Sequence, residues 1–456
     1  MSDRTAELAD GLERVLEDRT GAPVTVRDLT RLSGGASRET WAFTAVDEAG
    51  ATRPLVLQRE RAGGNGAGGG MSAEGALLRA AARAGVPVAP LVATDEGGDE
   101  LGAPFIIMDR VEGETIARRI LRDDRYAAAR SSLARQAGAA LAAVHRIDVS
   151  EFGDLHEEDQ VEQFRGLIDG LGEPHPAFEL GLRWLERNRP TTHRHSVVHG
   201  DFRMGNLIVG EDGLRAVLDW ELAHRGDPVE DLGWFCVRAW RFGSPLVAGG
   251  VGTADDLVQG YVAAGGEPVS PGELRWWETM GTLKWGVICI VQAATHLTGA
   301  SRSVELAAIG RRTAENEEDV LDLIAGPSEY EPVLASLSSR EVGTAPHDRP
   351  TAAELLDAVG EYLGEVRDAL EGRLGFHARV AGNVVAAVRR ELELGPAQAE
   401  AHAARLAELG VADDAELSAA IRSGALDDRI DRVTSAVRAS VRDKLAVANP
   451  GYWARP

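Results

Sequence analysis

Lysine is nearly absent from this chain: Lys284 and Lys444 are the only two among 49 basic residues. Any fixed cation in the first 283 residues must therefore be an arginine. Cysteine is equally scarce, with Cys236 and Cys289 both inside apolar stretches, which excludes a disulfide framework and favours the cytoplasm. The opening MSDRTAELADGLERVLEDR has no apolar segment behind a basic start, so a secretory leader is not expected. Long apolar runs are missing too. The longest, residues 282–294, is interrupted by Lys284 and Gln292 and is too short for a bilayer core of about 30 Å, so it reads as a buried helix and no membrane partner is expected. A basic excess is also lacking. A net charge of −23 argues against nucleic acid, whose phosphates require a basic face.

What is present describes an ordinary globular chain, 44% hydrophobic and 27% charged. At 456 residues, two or three folding units are expected from a rule of roughly 150 residues per domain. Leu8, Leu12 and Val15 have helical spacing over residues 3–18, ended by Gly21-Ala22-Pro23. Strands follow at 24–32, 40–46 and 55–59, separated by the Gly-rich turn Ser33–Ser37 and by Asp47–Gly50. Gly63 to Gly70 is too rich in glycine for regular structure and reads as a loop. A helix from Ser72 to Ala84 and a hairpin ending at Phe105–Met108 complete a small sheet with one helix. After Asp109 the pattern is helical, with an island of short strands at 196–198, 207–209 and 214–218. Pro327, Pro332 and Pro346 mark a linker, and 351–447 is helical with breaks at Gly395-Pro396 and Gly410.

One segment carries chemistry. Phosphoryl transfer from ATP needs a carboxylate to orient the attacking hydroxyl and take its proton, and oxygen ligands that hold Mg²⁺ on the phosphates. In His199-Gly200-Asp201-Phe202-Arg203-Met204-Gly205-Asn206, Asp201 supplies the base and Asn206 an amide ligand. A hairpin around Glu211-Asp212-Gly213 can fold Asp219, the second ligand, back beside Asn206. Taken singly, Asp201 and Asp219 could instead cap turns, and His199 could be a buried hydrogen-bonded group. Their order along the chain, behind a Gly-rich turn, a basic strand and a helix with an early glutamate, favours the kinase reading.

The chain resembles the aminoglycoside phosphotransferase-like family of small-molecule kinases over about residues 25–320, through HGDxxxxN at 199–206, Leu218-Asp219-Trp220-Glu221 and Gly226-Asp227-Pro228-Val229-Glu230-Asp231-Leu232. The resemblance implies an α+β, protein-kinase-like bilobal fold. It assigns the N-lobe to 1–108 and the C-lobe to 109–325, with a linker at 326–348 and an all-α domain at 349–456. By the same resemblance Asp201 is the catalytic base, Asn206 and Asp219 bind Mg²⁺, and His199, Asp227 and Asp231 are structural supports. Backbone N–H groups of Gly34, Gly35 and Ser37 would approach the ATP phosphates, and Met108 and Arg110 would flank adenine at the hinge. The family's third-strand cation must here be arginine. Arg59 is the better candidate with Glu74 as partner, while Gln58 holds the alternative register and Arg61 is also open.

Within the family, Val56-Leu57-Gln58-Arg59, Ile107–Gly113 and Gly310–Asp319 resemble the kinase regions joined to acyl-CoA dehydrogenases, associated with phosphorylating 4-hydroxyacyl-CoA. The last segment could equally be a solvated charged helix face. The helical end, with His347–Thr351, Phe376–Asn383 and Asn449–Tyr452, resembles a small helical family of poorly defined role, and His377, Arg379 and Asn383 could face an acyl-CoA or the kinase lobe. The expected acceptor is thus a hydroxyacyl-CoA, and a homodimer is compatible with this reading. An aminoglycoside or amino-alcohol kinase and a non-catalytic nucleotide-binding scaffold are the rivals.

Overall fold

The computed structural model describes residues 3–32, 38–60, 70–95, 97–192, 194–328 and 349–453. In chain order its first elements are α1 (Asp3–Thr20), β1 (Val24–Arg31), β2 (Arg38–Asp47), β3 (Thr52–Glu60), α2 (Gly70–Ala84), β4 (Leu91–Asp95) and β5 (Phe105–Asp109). Then come α3 (Ala117–Arg122), α4 (Ala127–Val144), α5 (Gln160–Leu171) and α6 (Pro176–Arg187), followed by four short strands, β6 (Ser196–Val198), β7 (Leu207–Gly210), β8 (Gly213–Val217) and β9 (His224–Gly226). The remainder is helical: α7 (Val229–Cys236), α8 (Ala254–Ala263), α9 (Pro271–Leu297), α10 (Val304–Ile309), α11 (Thr313–Ala325), α12 (Ala352–Ala369), α13 (Gly372–Leu409), α14 (Asp414–Ser423) and α15 (Ile430–Ala448). The chain divides into two compact units, residues 1–158 with 192–274, and 159–191 with 275–456.

In the first unit an antiparallel sheet has the order β1-β2-β3-β5-β4. Strand alternation gives its two faces different tasks. Phe43, Leu55, Leu57, Phe105 and Ile107 form one face and pack on Leu8, Leu12, Val15 and Leu16 of α1, whose helical spacing makes a single apolar stripe. Arg38, Thr40, Val56, Gln58 and Met108 lie on the other, paired as Thr40 with Gln58 and Val56 with Met108. The Ser33–Ser37 turn and residues 63–69 of the glycine stretch fall outside the described residues; Gly70 opens α2.

Two helices behind the strand island approach unusually closely. A Cβ on Gly138 of α4 would lie 2.1 Å from the Leu257 carbonyl oxygen, and one on Gly260 of α8 2.2 Å from that of Arg135, so both positions require glycine. The close approach seats His145, at the end of α4, beside Tyr261 of α8, whose hydroxyl lies 3.0 Å from His145 Nδ1.

The second unit has two cores. Phe164, Phe178, Met280, Leu283 and Val320 join α5, α6, α9 and α11. Leu180 and Leu321 pack with Leu406, Ile421, Val437 and Leu445, so the C-terminal helices share a core with α6 and α11. The residues of 282–294 lie in α9, among which Leu283, Val287, Cys289 and Ile290 are buried. Gly395-Pro396 does not break the helical run as expected: α13 continues through Pro396. Proline deprives the Leu392 carbonyl of its donor, but Leu392 is half exposed, so water can supply one.

Nor is the acidic run of α11 a solvated face. Glu315, Glu317, Glu318 and Asp319 are all buried and paired, with Asn449 Nδ2 (2.8 Å), Lys444 Nζ (3.0 Å), Arg438 Nη1 (2.8 Å) and the Tyr452 hydroxyl (2.5 Å) respectively.

Candidate active site

The loop after β6 is held by carboxylates deeper in the first unit. Gly200 has φ +80°, and a Cβ there would lie 2.3 Å from the Leu222 carbonyl oxygen, so only glycine fits. Fully buried Asp231, in the first turn of α7, accepts the backbone N–H groups of His199 at Oδ2 (2.8 Å) and Gly200 at Oδ1 (2.9 Å), and His145 Nε2 also lies 3.0 Å from Oδ2. Burial works to raise its pKa, but the His145 hydrogen bond and charge prevail and hold it below the ordinary carboxylate range. Asp227 accepts Val229 N–H at the start of α7 (2.9 Å), and burial pushes its carboxyl up.

His199 is fully buried against Trp220 and Phe202, and burial pushes its pKa down, so the ring is neutral. In that state Nδ1 accepts Asp201 N–H (3.2 Å) while Nε2–H donates to the Leu218 carbonyl (3.0 Å). His199 therefore ties the backbone of Asp201 to the residue preceding Asp219.

The β7–β8 hairpin forms as its sequence predicts, and Leu218 N–H donates to Asn206 O at 2.8 Å, which brings Asp219 up to the Asp201 loop. The Asn206 amide nitrogen donates to the Asp201 carbonyl (2.9 Å) and to Asp201 Oδ2 (2.7 Å), so its amide oxygen remains as an acceptor for a cation. Asp201 receives two further donors, Trp234 Nε1 at 2.9 Å and Arg203 Nε at 3.0 and 3.1 Å. The Arg203 guanidinium lies 5.0 Å over the Trp240 ring, which packs on Trp234. A carboxylate so surrounded has one orientation.

Asp219 has φ +66°, a conformation uncommon outside glycine and typical of constrained functional sites. Burial raises its pKa, with the negative charges of Glu221 and Asp201 adding to the shift. The acid cluster thus favours a bound cation, and the oxygens of Asn206 and Asp219 are hard donors of the kind Mg²⁺ takes alongside phosphate oxygens. No group of three or more His, Cys, Asp and Glu suited to a metal occurs among the described residues, so a metal here would take the rest of its shell from nucleotide and water.

On the N-lobe side the Arg59 expectation is corrected. Arg59 shares the α1 face of β3 with Leu55 and Leu57 and donates to Glu39 Oε2 (2.9 Å) and the Leu101 carbonyl (3.0 Å), not to Glu74. Period-two alternation turns it away from the face that carries Gln58. Buried Glu74 instead pairs with Arg38 of β2, whose Nη2 also lies 3.4 Å from Glu221. Burial raises the Glu74 pKa, opposed by the Arg38 charge and hydrogen bond. Met108 is buried at the end of β5, and the Arg110 N–H is taken by the Pro54 carbonyl. Gly34, Gly35, Ser37 and Arg61 lie outside the described residues.

Arg38, Glu221, His145, Arg203 and Trp234 were not singled out from the sequence as site residues. Arg203 lies inside the motif, and Arg38 is the first basic residue after the Gly-rich turn; both signals were available. His145 and Trp234 carry none, because they reach the loop only through α4 and α7.

A small antiparallel sheet flanked by α1 and α2, followed by a loop-and-hairpin site of this composition, defines a kinase-like phosphotransferase. The chain belongs to the phosphotransferase enzyme family, whose model matches residues 28–277; a domain family of unknown function (DUF6285) matches 368–452. It is similar to mouse acyl-CoA dehydrogenase family member 10, 27% identical over 335 residues, 68% of this chain and 30% of that protein. Human acyl-CoA dehydrogenase family member 11 is 28% identical over 146 residues, 30% of this chain and 19% of that one. The chain therefore spans less than a third of either relative's length. A crystal structure from Ralstonia eutropha JMP134, given as a candidate aminoglycoside phosphotransferase, has the same fold, with TM-score 0.57 and 23% identity over 70% of this chain and 99% of that one.

Proposed function

We propose that this phosphotransferase moves the γ-phosphoryl group of ATP to the hydroxyl of a hydroxyacyl-CoA, as in hydroxy-acid breakdown. The observation that carries the reaction type is the Asp201 carboxylate, fixed by Asn206, Arg203 and Trp234 beside the Asn206–Asp219 oxygen pair. Asp201 orients the acceptor hydroxyl and takes its proton as the oxygen–phosphorus bond forms, a role worth roughly 10²–10⁴ in rate. Asn206 and Asp219 hold Mg²⁺, which when bound aligns the ATP phosphates and offsets their charge. Asp231 and His199 act through the loop backbone, keeping these groups in register. The acyl-CoA acceptor is supported by the similarity to two acyl-CoA dehydrogenase family members.

The test is a coupled ADP-release assay with mass spectrometry across hydroxyacyl-CoAs, amino alcohols and aminoglycosides. ATP-dependent gain of a phosphoryl group by 4-hydroxyacyl-CoA is expected. Consumption of the amines alone would discard the acyl-CoA acceptor while keeping the kinase.

A further inference from the structure

We infer that the first-lobe cation for the ATP phosphates has moved from the third strand to the second, and that Arg38 is that residue. This rests on the kinase reading above. Such folds use a basic residue on the third strand that pairs with a glutamate of the following helix and touches the phosphates. Here the β3 position on the side of α2 is Gln58, which has no charge and whose buried Oε1 finds no hydrogen-bond partner among the described residues. Its neighbour Arg59 is committed to Glu39 and Leu101 on the opposite face.

Arg38 occupies the same face as Gln58, two pairs further along the ladder: Thr40 is opposite Gln58, and Arg38 is opposite Glu60. Its guanidinium meets Glu74, the glutamate of α2, so the expected strand-to-helix ion pair is made with the cation contributed by β2. Glu74 also accepts the backbone N–H of Trp220, the residue after Asp219, and Arg38 reaches Glu221 one residue further. One ion pair therefore anchors β2, α2 and the segment following Asp219.

Arg38 is the cation that Glu74 and Glu221 share, its Nη1 on the first and its Nη2 3.4 Å from the second. Arginine suits the position: it is always charged, and its five donors can hold Glu74 and a phosphate oxygen at once, which a lysine ammonium does less well. The side chain is still 15% exposed, so the two carboxylates do not seal it off.

The test compares the affinities of Mg²⁺-AMP-PNP and of adenosine by titration calorimetry, because a phosphate contact acts on the first alone. Arg38→Gln should weaken Mg²⁺-AMP-PNP about tenfold or more, the size of a lost charge-assisted hydrogen bond, with adenosine unchanged. Arg38→Lys should fall between, and adding Gln58→Arg to Arg38→Gln should restore part of the loss by returning the cation to β3. The assignment fails if Arg38→Gln and Arg38→Lys leave the ratio of the two affinities at its original value, including by weakening both ligands equally. A wild-type chain that does not bind Mg²⁺-AMP-PNP overturns the kinase reading and this assignment with it.

Discussion

At the scale of single residues, the site is a set of local donors converging on one carboxylate. Asp201→Ala removes the base but none of the proposed nucleotide ligands, so turnover should fall by roughly 10²–10⁴ while Mg²⁺-ATP affinity stays near its original value. Parallel measurement of kcat and nucleotide Kd checks this; retained turnover would exclude Asp201 as the base. This part of the site was legible in the sequence because it is compact: Asp201 and Asn206 are five residues apart on one loop, and a short hairpin returns Asp219. Arg38 and Glu74 are 36 residues apart, and their meeting depends on which way β2 and β3 face. A one-residue error in that register points to Arg59 instead, and composition offers no correction.

Elements carry the next layer. Asp231 can brace the loop only if α7 and α4 are correctly placed, and α4 is placed by the Gly138–Gly260 crossing with α8. A methyl group at Gly138 cannot fit 2.1 Å from the Leu257 carbonyl oxygen, so the helices must separate. Gly138→Ala should therefore destabilise the chain by about 1–3 kcal/mol and lower kcat through displacement of His145 from Asp231. Urea unfolding and steady-state kinetics on one preparation read both effects, and unchanged values for both would show that the crossing tolerates a side chain. The helical pattern after Asp109, which includes α4, is visible in the sequence. The crossing is not, because a glycine inside an alanine-rich helix does not reveal which backbone approaches it.

For the molecule as a whole, the notable feature is that acidic α11 is buried within the second unit by basic and polar groups of the C-terminal helices. Sequence patterning could not separate this from a solvated face, since charge alternation looks the same until a partner is known. Removing the cations of such a buried carboxylate leaves an uncompensated charge, so Arg438→Ala combined with Arg442→Ala, which together strand Glu318, should cost about 3–5 kcal/mol in urea unfolding of the full chain. Glu317 gives a pH-dependent counterpart. Burial alone would push its carboxyl up, but the Lys444 charge and the hydrogen bonds from His175 and Lys444 outweigh burial and hold it down at about 2. Because the folded value lies below the ordinary glutamate value of about 4.3, the unfolded chain binds this proton first as pH falls. The stabilisation is then complete above about 4.3 and is lost progressively toward pH 2. Urea midpoints measured from pH 6 downward should fall more steeply for the wild type than for Glu317→Gln, which has no proton to take up there. Equal slopes in the two proteins would mean that Glu317 is not held by Lys444 and His175 as the folded chain requires.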